Sequence, residues 1–268
     1  MNGFRRSPSD VLTAPRFVGE QLLVRFRTDP EVYRRLLPPP LEPADEPVAV
    51  AAVGRWSSNC VGDYAGGSVA LTAVHAGDPG GFAVSMCMDT EAAVLFGREV
   101  FGEPKKLGTS GLVRDGSRVH GWIDRHGVRL VSLEAALGAD EGRSDASRLA
   151  FNYRARTAAD GVGLDGPAVL TRTTFTTRID ARFTGTGTVT LTSGPHDPAG
   201  QIPVRDVLGA EYQVHDLRAS CVPATEVPAA EFLPFHLGRQ DDWRLLDTLN
   251  PGNTPPRPSE AGPERRQR

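Results

Sequence analysis

Short strand-like runs, separated by turns rich in glycine and charge, recur along most of this chain and limit the folds open to it. They are residues 21–27, 48–55, 68–75, 81–88, 111–115, 117–124, 128–136, 149–156, 171–183 and 187–191, and in the first of them Arg25 and Arg27 share one face, as the two-residue period of a strand requires. Turns and loops fall between them, as at 138–143 and 158–161. Only two stretches have helical character. In 29–37, Thr28 or Asp29 can cap, Pro30 suits the first turn, and Pro38-Pro39-Pro40 ends the run. In 90–101, Asp89 or Thr90 can cap and Glu91 lies in the first turn. Gly102 and Pro104 stop that helix, because the residue before a proline avoids helical dihedrals. Many strands with two short helices predict a β-rich α+β fold, a single domain over residues 15–247. Residues 1–14 read as a loose arm, and 248–268, rich in proline and charge, as a disordered tail.

Charge and cysteine usage exclude several classes of function. The net charge of −3 offers no basic footprint for nucleic acid or an anionic membrane. No stretch has the apolar length of a membrane span, and residues 1–9 have arginines with no apolar segment behind them, so no secretory signal is read. The expected location is the cytoplasm. Cys60, Cys87 and Cys221 are odd in number and dispersed, which suggests neither a disulfide framework nor a zinc site. The six histidines lack metal-ligand spacing, and Gly108-Thr109-Ser110-Gly111 lacks the glycine-then-lysine order of a phosphate loop. Neither metal nor cofactor is expected.

Lysine usage is the chemical signal. Of 30 basic residues only Lys105 and Lys106 are lysine, and they are adjacent, just past the second helix. Lysine differs from arginine in having an amine that can lose its proton near neutral pH and attack a carbonyl. In an extended segment these neighbours point to opposite sides, with Glu103 on the side of Lys105. Glu103 there is a candidate proton carrier for a charged iminium.

Asp89-Thr90-Glu91, Gly97-Arg98-Glu99 and Pro104-Lys105-Lys106-Leu107-Gly108 together resemble the signature of the acetoacetate decarboxylase superfamily. Arg27-Thr28-Asp29, Asp45-Glu46-Pro47, Asp63-Tyr64 and the late run Ile202 to Val207 fall in the family's order. The resemblance implies a cone-like antiparallel β-barrel, a homo-oligomer, Lys105 as Schiff-base nucleophile and Lys106 as its partner. Acetoacetate decarboxylase is itself the standard example of such an activated amine. It also places Tyr212 on a late strand returning toward the pocket. Arg98 and Arg27, in the family's motifs, are candidate substrate-binding residues.

One part of the pattern fails. The decarboxylases surround the amine with an arginine and two glutamates, and the matching positions here are Gly19, Ala52 and Gly66. A one-residue shift would bring in only Glu20. The expectation is therefore a cofactor-free Schiff-base lyase on a 2-oxo or β-keto acid, aldolase-dehydratase-like, in natural-product metabolism. A decarboxylase with a rebuilt carboxylate site is the first alternative. A non-covalent binding or cyclisation protein acting on a polyketide-like substrate is the second.

Overall fold

A computed structural model describes residues 14–159, 161 and 163–241. The expected tail, and all of the expected arm except Ala14, lie outside the described residues. In chain order the elements are β1 (Arg16–Arg27), α1 (Pro30–Leu36), β2 (Glu42–Pro43), β3 (Val48–Ser58), β4 (Gly62–His75), β5 (Asp78–Met88) and α2 (Glu91–Phe96). There follow β6 (Lys105–Leu107), β7 (Thr109–Asp115), β8 (Arg118–Arg125), β9 (Val128–Asp140), β10 (Ser144–Arg154), β11 (Ala168–Leu191), β12 (Asp206–Val227) and α3 (Ala229–His236).

The strand pairing returns on itself. β10 pairs β5, the order runs on through β4, β3, β1, β12 and β11, and β11 pairs β10 again. The ring is not wholly antiparallel as expected, because β10 meets β5 in parallel over Ala150–Gly81 and Phe151–Phe82. β6, which carries the lysines, is also parallel to β5. The far half of β11 leaves the ring to pair β9, and β8 and β7 continue that layer.

β7, β8 and β9 fold back over β1, β3 and β4. Alternation along the strands then gives the ring two different faces. One set of side chains, including Leu22, Val24, Ala51, Val53, Val69 and Leu71, is buried with Ile123, Leu130 and Leu133 of the covering layer. Each large aliphatic buried here contributes roughly 1.5–3 kcal/mol. The other set lines a cavity inside the ring.

Both expected helices form. Asp29 caps α1 by accepting from Glu31 N at 3.0 Å, and Thr90 caps α2. The two predicted strands at 171–183 and 187–191 are one strand, β11. Its Gly185 allows a close approach, since a Cβ there would lie 2.0 Å from Ala136 O. β12, where the resemblance places a late strand, has no clear strand pattern of its own because polar residues and Pro223 interrupt it. Pro223 sits where the pairing with β11 shifts register, and a bulge tolerates the missing N–H. No helix among the described residues is long and apolar enough to cross a membrane.

Candidate active site

The lysine segment is placed by an irregular helix end. After α2 the chain widens into a π-helical turn, Gly97–Phe101, and stops at Gly102, whose φ of 73° is left-handed and suits glycine. Glu103 N donates to Gly97 O at 3.0 Å, Tyr153 N donates to Gly102 O at 3.2 Å, and Arg98 Nη1 donates to Lys105 O at 3.1 Å. The backbone on both sides of Pro104 is thus pinned, and the side chains of Glu103 and Lys105 converge. Lys105 Nζ lies 2.9 Å from Glu103 Oε2, with side-chain exposures of only 7% and 10%. The contact is an ion pair rather than an aligned hydrogen bond, since Oε2 has no hydrogen-bond partner. Gly97 makes room for the pair: a Cβ there would fall 2.3 Å from Lys105 Cδ and 2.6 Å from Glu103 Oε2.

The pair opens on a cavity of about 150 Å³ inside the ring. Part of its wall is aromatic. Trp56 stacks on Tyr64 at 5.3 Å, and Phe101 contacts Phe17 and Phe175. The Tyr64 ring centroid is 5.9 Å from Lys105 Nζ. Burial, and then the Glu103 charge, push the Tyr64 phenol far above its ordinary pKa, so it stays protonated. A second space of about 850 Å³ shares Gln21, Ala52, Ser68, Ala70, Gly81 and Arg148 with the first.

Lys106 faces the other way, as alternation requires. Its Nζ donates to His196 O at 2.8 Å and Asp197 Oδ1 at 3.0 Å, with Asp241 Oδ1 at 3.6 Å. Arg125 bridges the same two carboxylates at 2.6 and 2.5 Å. Burial pushes the Asp241 carboxyl up, but hydrogen bonds from Arg125 and His126 outweigh it and hold the group well below the usual range. This is a closed ionic network.

The structure does not bring all the sequence-predicted site residues together. Tyr212 lies on the opposite face of β12 from the cavity. It bonds to Glu20, beneath the Arg114 guanidinium at 4.7 Å from its ring. Burial and that carboxylate push its phenol up to about 12. Glu20 is held there by Arg55 at 2.5 Å as well, so it does not replace the family's arginine. Arg27 is at the far end of β1, paired with Asp206 and Glu46 at 2.9 and 3.1 Å. Arg98 donates to the carbonyls of Lys105 and Arg239, at 3.1 and 3.0 Å, and orients the segment without lining the cavity. Ala52 does line it, and contributes no charge.

Sequence reasoning missed Arg148 and His215, which do line the cavity. Arg148 precedes the predicted strand at 149–156 by one residue, and its shared parity with Ala150 and Asn152 was the available signal. Trp56 Nε1 donates to His215 Nε2 at 3.1 Å. Burial, and then the Arg148 charge, hold the His215 pKa down at about 4, so the ring is neutral at pH 7. Among the described residues no group of His, Cys, Asp and Glu is placed to hold a metal.

The sequence profile of the acetoacetate decarboxylase family matches residues 4–231. The chain belongs to that family. It is 28% identical to an acetoacetate decarboxylase of Streptomyces nogalater over 229 residues, covering 79% of this chain and 92% of the relative. It is likewise 28% identical to one from Burkholderia cenocepacia, with 79% and 88% covered. Among solved structures, an acetoacetate decarboxylase of Legionella pneumophila superposes with a TM-score of 0.72 at 24% identity, over 80% and 88% of the two chains. The enduracididine biosynthesis enzyme MppR, solved with the condensation product of pyruvate and imidazole 4-carboxaldehyde, superposes with a TM-score of 0.65 at 18% identity, over 80% and 90%. These likenesses show the shared fold of an acetoacetate decarboxylase-like enzyme.

Proposed function

We propose that this chain is a lysine-iminium lyase that joins or cleaves carbon–carbon bonds next to the carbonyl of an oxo acid, in the aldolase-dehydratase manner and in natural-product metabolism. The observation that carries this reading is the buried Lys105–Glu103 pair, open to an aromatic cavity and separate from the Lys106 network. Glu103 takes a proton from the Lys105 ammonium, and the freed amine adds to the substrate carbonyl. The carbonyl oxygen leaves as water. Ammonium and carbonyl have become a protonated iminium and water, and Glu103 is unchanged overall. The iminium draws electrons from the adjacent carbon, and Glu103 removes a proton there to give an enamine, which adds to an aldehyde. In reverse, the same steps cleave an aldol. MppR holding a pyruvate condensation product is a precedent for such chemistry on this fold.

The cavity also bears on the decarboxylase alternative. Gly19, Ala52 and Gly66 supply none of the charged groups that the decarboxylases use, and Glu20 is committed elsewhere. Borohydride reduction with pyruvate or acetoacetate is expected to trap an adduct on Lys105, seen by intact mass and peptide mapping, while acetoacetate releases little CO2. Absence of an adduct with either acid would overturn the iminium mechanism and favour non-covalent binding. CO2 release that disappears in Lys105→Arg would instead establish a decarboxylase.

A further inference from the structure

Among the described residues, Arg148 is the one cationic side chain on the cavity wall besides Lys105, and the mechanism above gives it no task. It sits on β10, among the residues shared by the inner cavity and the wider space beyond it. Its Cζ lies over the Phe175 ring, 4.4 Å from the centroid. A cation–π contact of this kind consumes none of the guanidinium's five N–H donors as hydrogen bonds. Among the described residues no carboxylate pairs with Arg148 and no acceptor takes a hydrogen bond from it. Arg148 is solvent-accessible, bordering the open space where the two cavities join.

His215 lines the same wall and is buried, and its Nδ1 has no partner. With Nε2 accepting from Trp56, the proton of the neutral ring is on Nδ1, so this wall also has an unspent neutral donor. Glu103 is the carboxylate on the cavity wall nearest the amine, and it is already in contact with Lys105. A guanidinium at the junction of the two spaces, with no carboxylate of the protein on its donors, offers a fork that a planar carboxylate fits.

We propose that Arg148 is the carboxylate receptor of the substrate, a role supplied from β10 instead of from the β1 position where this chain has Gly19. This rests on the reading of Lys105 as imine former, and it specifies the substrate as an oxo acid whose carboxylate the guanidinium holds. The substrate carbonyl lies at Lys105, its carboxylate against Arg148, and the wider space beyond accommodates the second reactant or the longer end of the chain.

The test compares pyruvate with methyl pyruvate, its uncharged ester, in borohydride trapping on the full-length protein at graded concentrations. The wild-type protein is expected to be half-modified at a lower pyruvate concentration than methyl pyruvate concentration. Arg148→Gln should raise the pyruvate value roughly 10- to 100-fold and leave the ester's within about threefold. Arg148→Lys should recover part of the preference. Arg148→Met, which preserves the alkyl packing on Phe175, serves if the glutamine variant does not fold. Equal changes for acid and ester, or no change for either, would overturn the receptor. If the wild-type protein traps neither compound, the iminium reading fails and lactate, which keeps the carboxylate but has no ketone, decides the receptor by titration of tryptophan fluorescence. Lactate binding that is lost in Arg148→Gln sustains it, and lactate binding that is absent or unaltered by the substitution overturns it.

Discussion

Lys105 and Lys106 are neighbours in sequence, yet their surroundings differ in kind. Lys106 is surrounded by Asp197, Asp241 and the His196 carbonyl, with Arg125 completing the charge balance. Each charged side chain there faces an opposite charge, and the space adjoining Lys106 is only about 70 Å³. Lys105 has one carboxylate in contact, an aromatic wall, and open space before it. The difference teaches that burial alone does not mark a nucleophile, since both amines are buried. What separates them is whether the surrounding charges are saturated. A saturated network fixes backbone, whereas an unsaturated pair beside a cavity is available for chemistry.

The most direct way to break this contrast is to exchange the cations. Lys105→Arg retains a positive charge but no usable amine, and turnover should fall by about 10⁴-fold or more with the melting temperature little changed. Lys106→Met should do the reverse. It removes a buried partner from Asp197, at a cost of roughly 3 kcal/mol in denaturant unfolding, the lower end for a broken buried pair because Arg125 still faces that carboxylate. The adduct trapped per folded molecule should persist. An adduct lost in Lys106→Met at unaltered stability would erase the distinction between the two amines.

Within the pocket, Glu103→Gln separates proton transfer from imine formation. The trapped adduct should still form while turnover drops by roughly 10²-fold. Steady-state rates decide this, and unchanged turnover would reduce Glu103 to a structural counter-ion.

Acid unfolding gives the smallest and cleanest separation of the two regions. His215 on the cavity wall and His236 at the end of α3 are both held at about 4, in each case chiefly by burial. The unfolded chain binds protons near pH 6.5 that the folded one refuses, so their contribution to stability is intact above that pH and is lost as the pH falls toward 4. Each should cost about 1 kcal/mol between pH 6.5 and 5.5. Asp241 in the Lys106 network is depressed in the carboxylate sense, so its contribution is lost only below the ordinary aspartate range, near pH 4 and lower. Urea unfolding at half-unit pH steps should therefore show the pocket side weakening first. A flat profile down to pH 5 would mean that His215 and His236 are not buried as neutral rings.

Local rules account for what was legible in the sequence. The caps at Asp29 and Thr90, the stop at Gly102 and the strand period depend on dihedrals and hydrogen bonds within a few residues, and they appear where the sequence places them. The opposite facing of Lys105 and Lys106, and the approach of Glu103 to Lys105, come from the same short range. The absence of charge at Gly19, Ala52 and Gly66 needs no structure at all.

The rest depends on which distant strands meet. Arg148 reaches the cavity because β10 closes the ring between β5 and β11, a pairing that no local pattern encodes. Tyr212 faces the covering layer because one register on β12 decides which face every side chain takes, and a shift of one residue would have turned it inward. Arg98 and Arg239 reach backbone carbonyls around Lys105 because the fold brings residues 98, 102, 105, 153 and 239 together from distant parts of the chain. The sequence by itself determined the strand-rich class, the lysine pair and the missing decarboxylase charges. Only the tertiary structure decided which cations are neutralised and which face open space, because charge pairing between residues far apart in the chain exists only once the ring has closed.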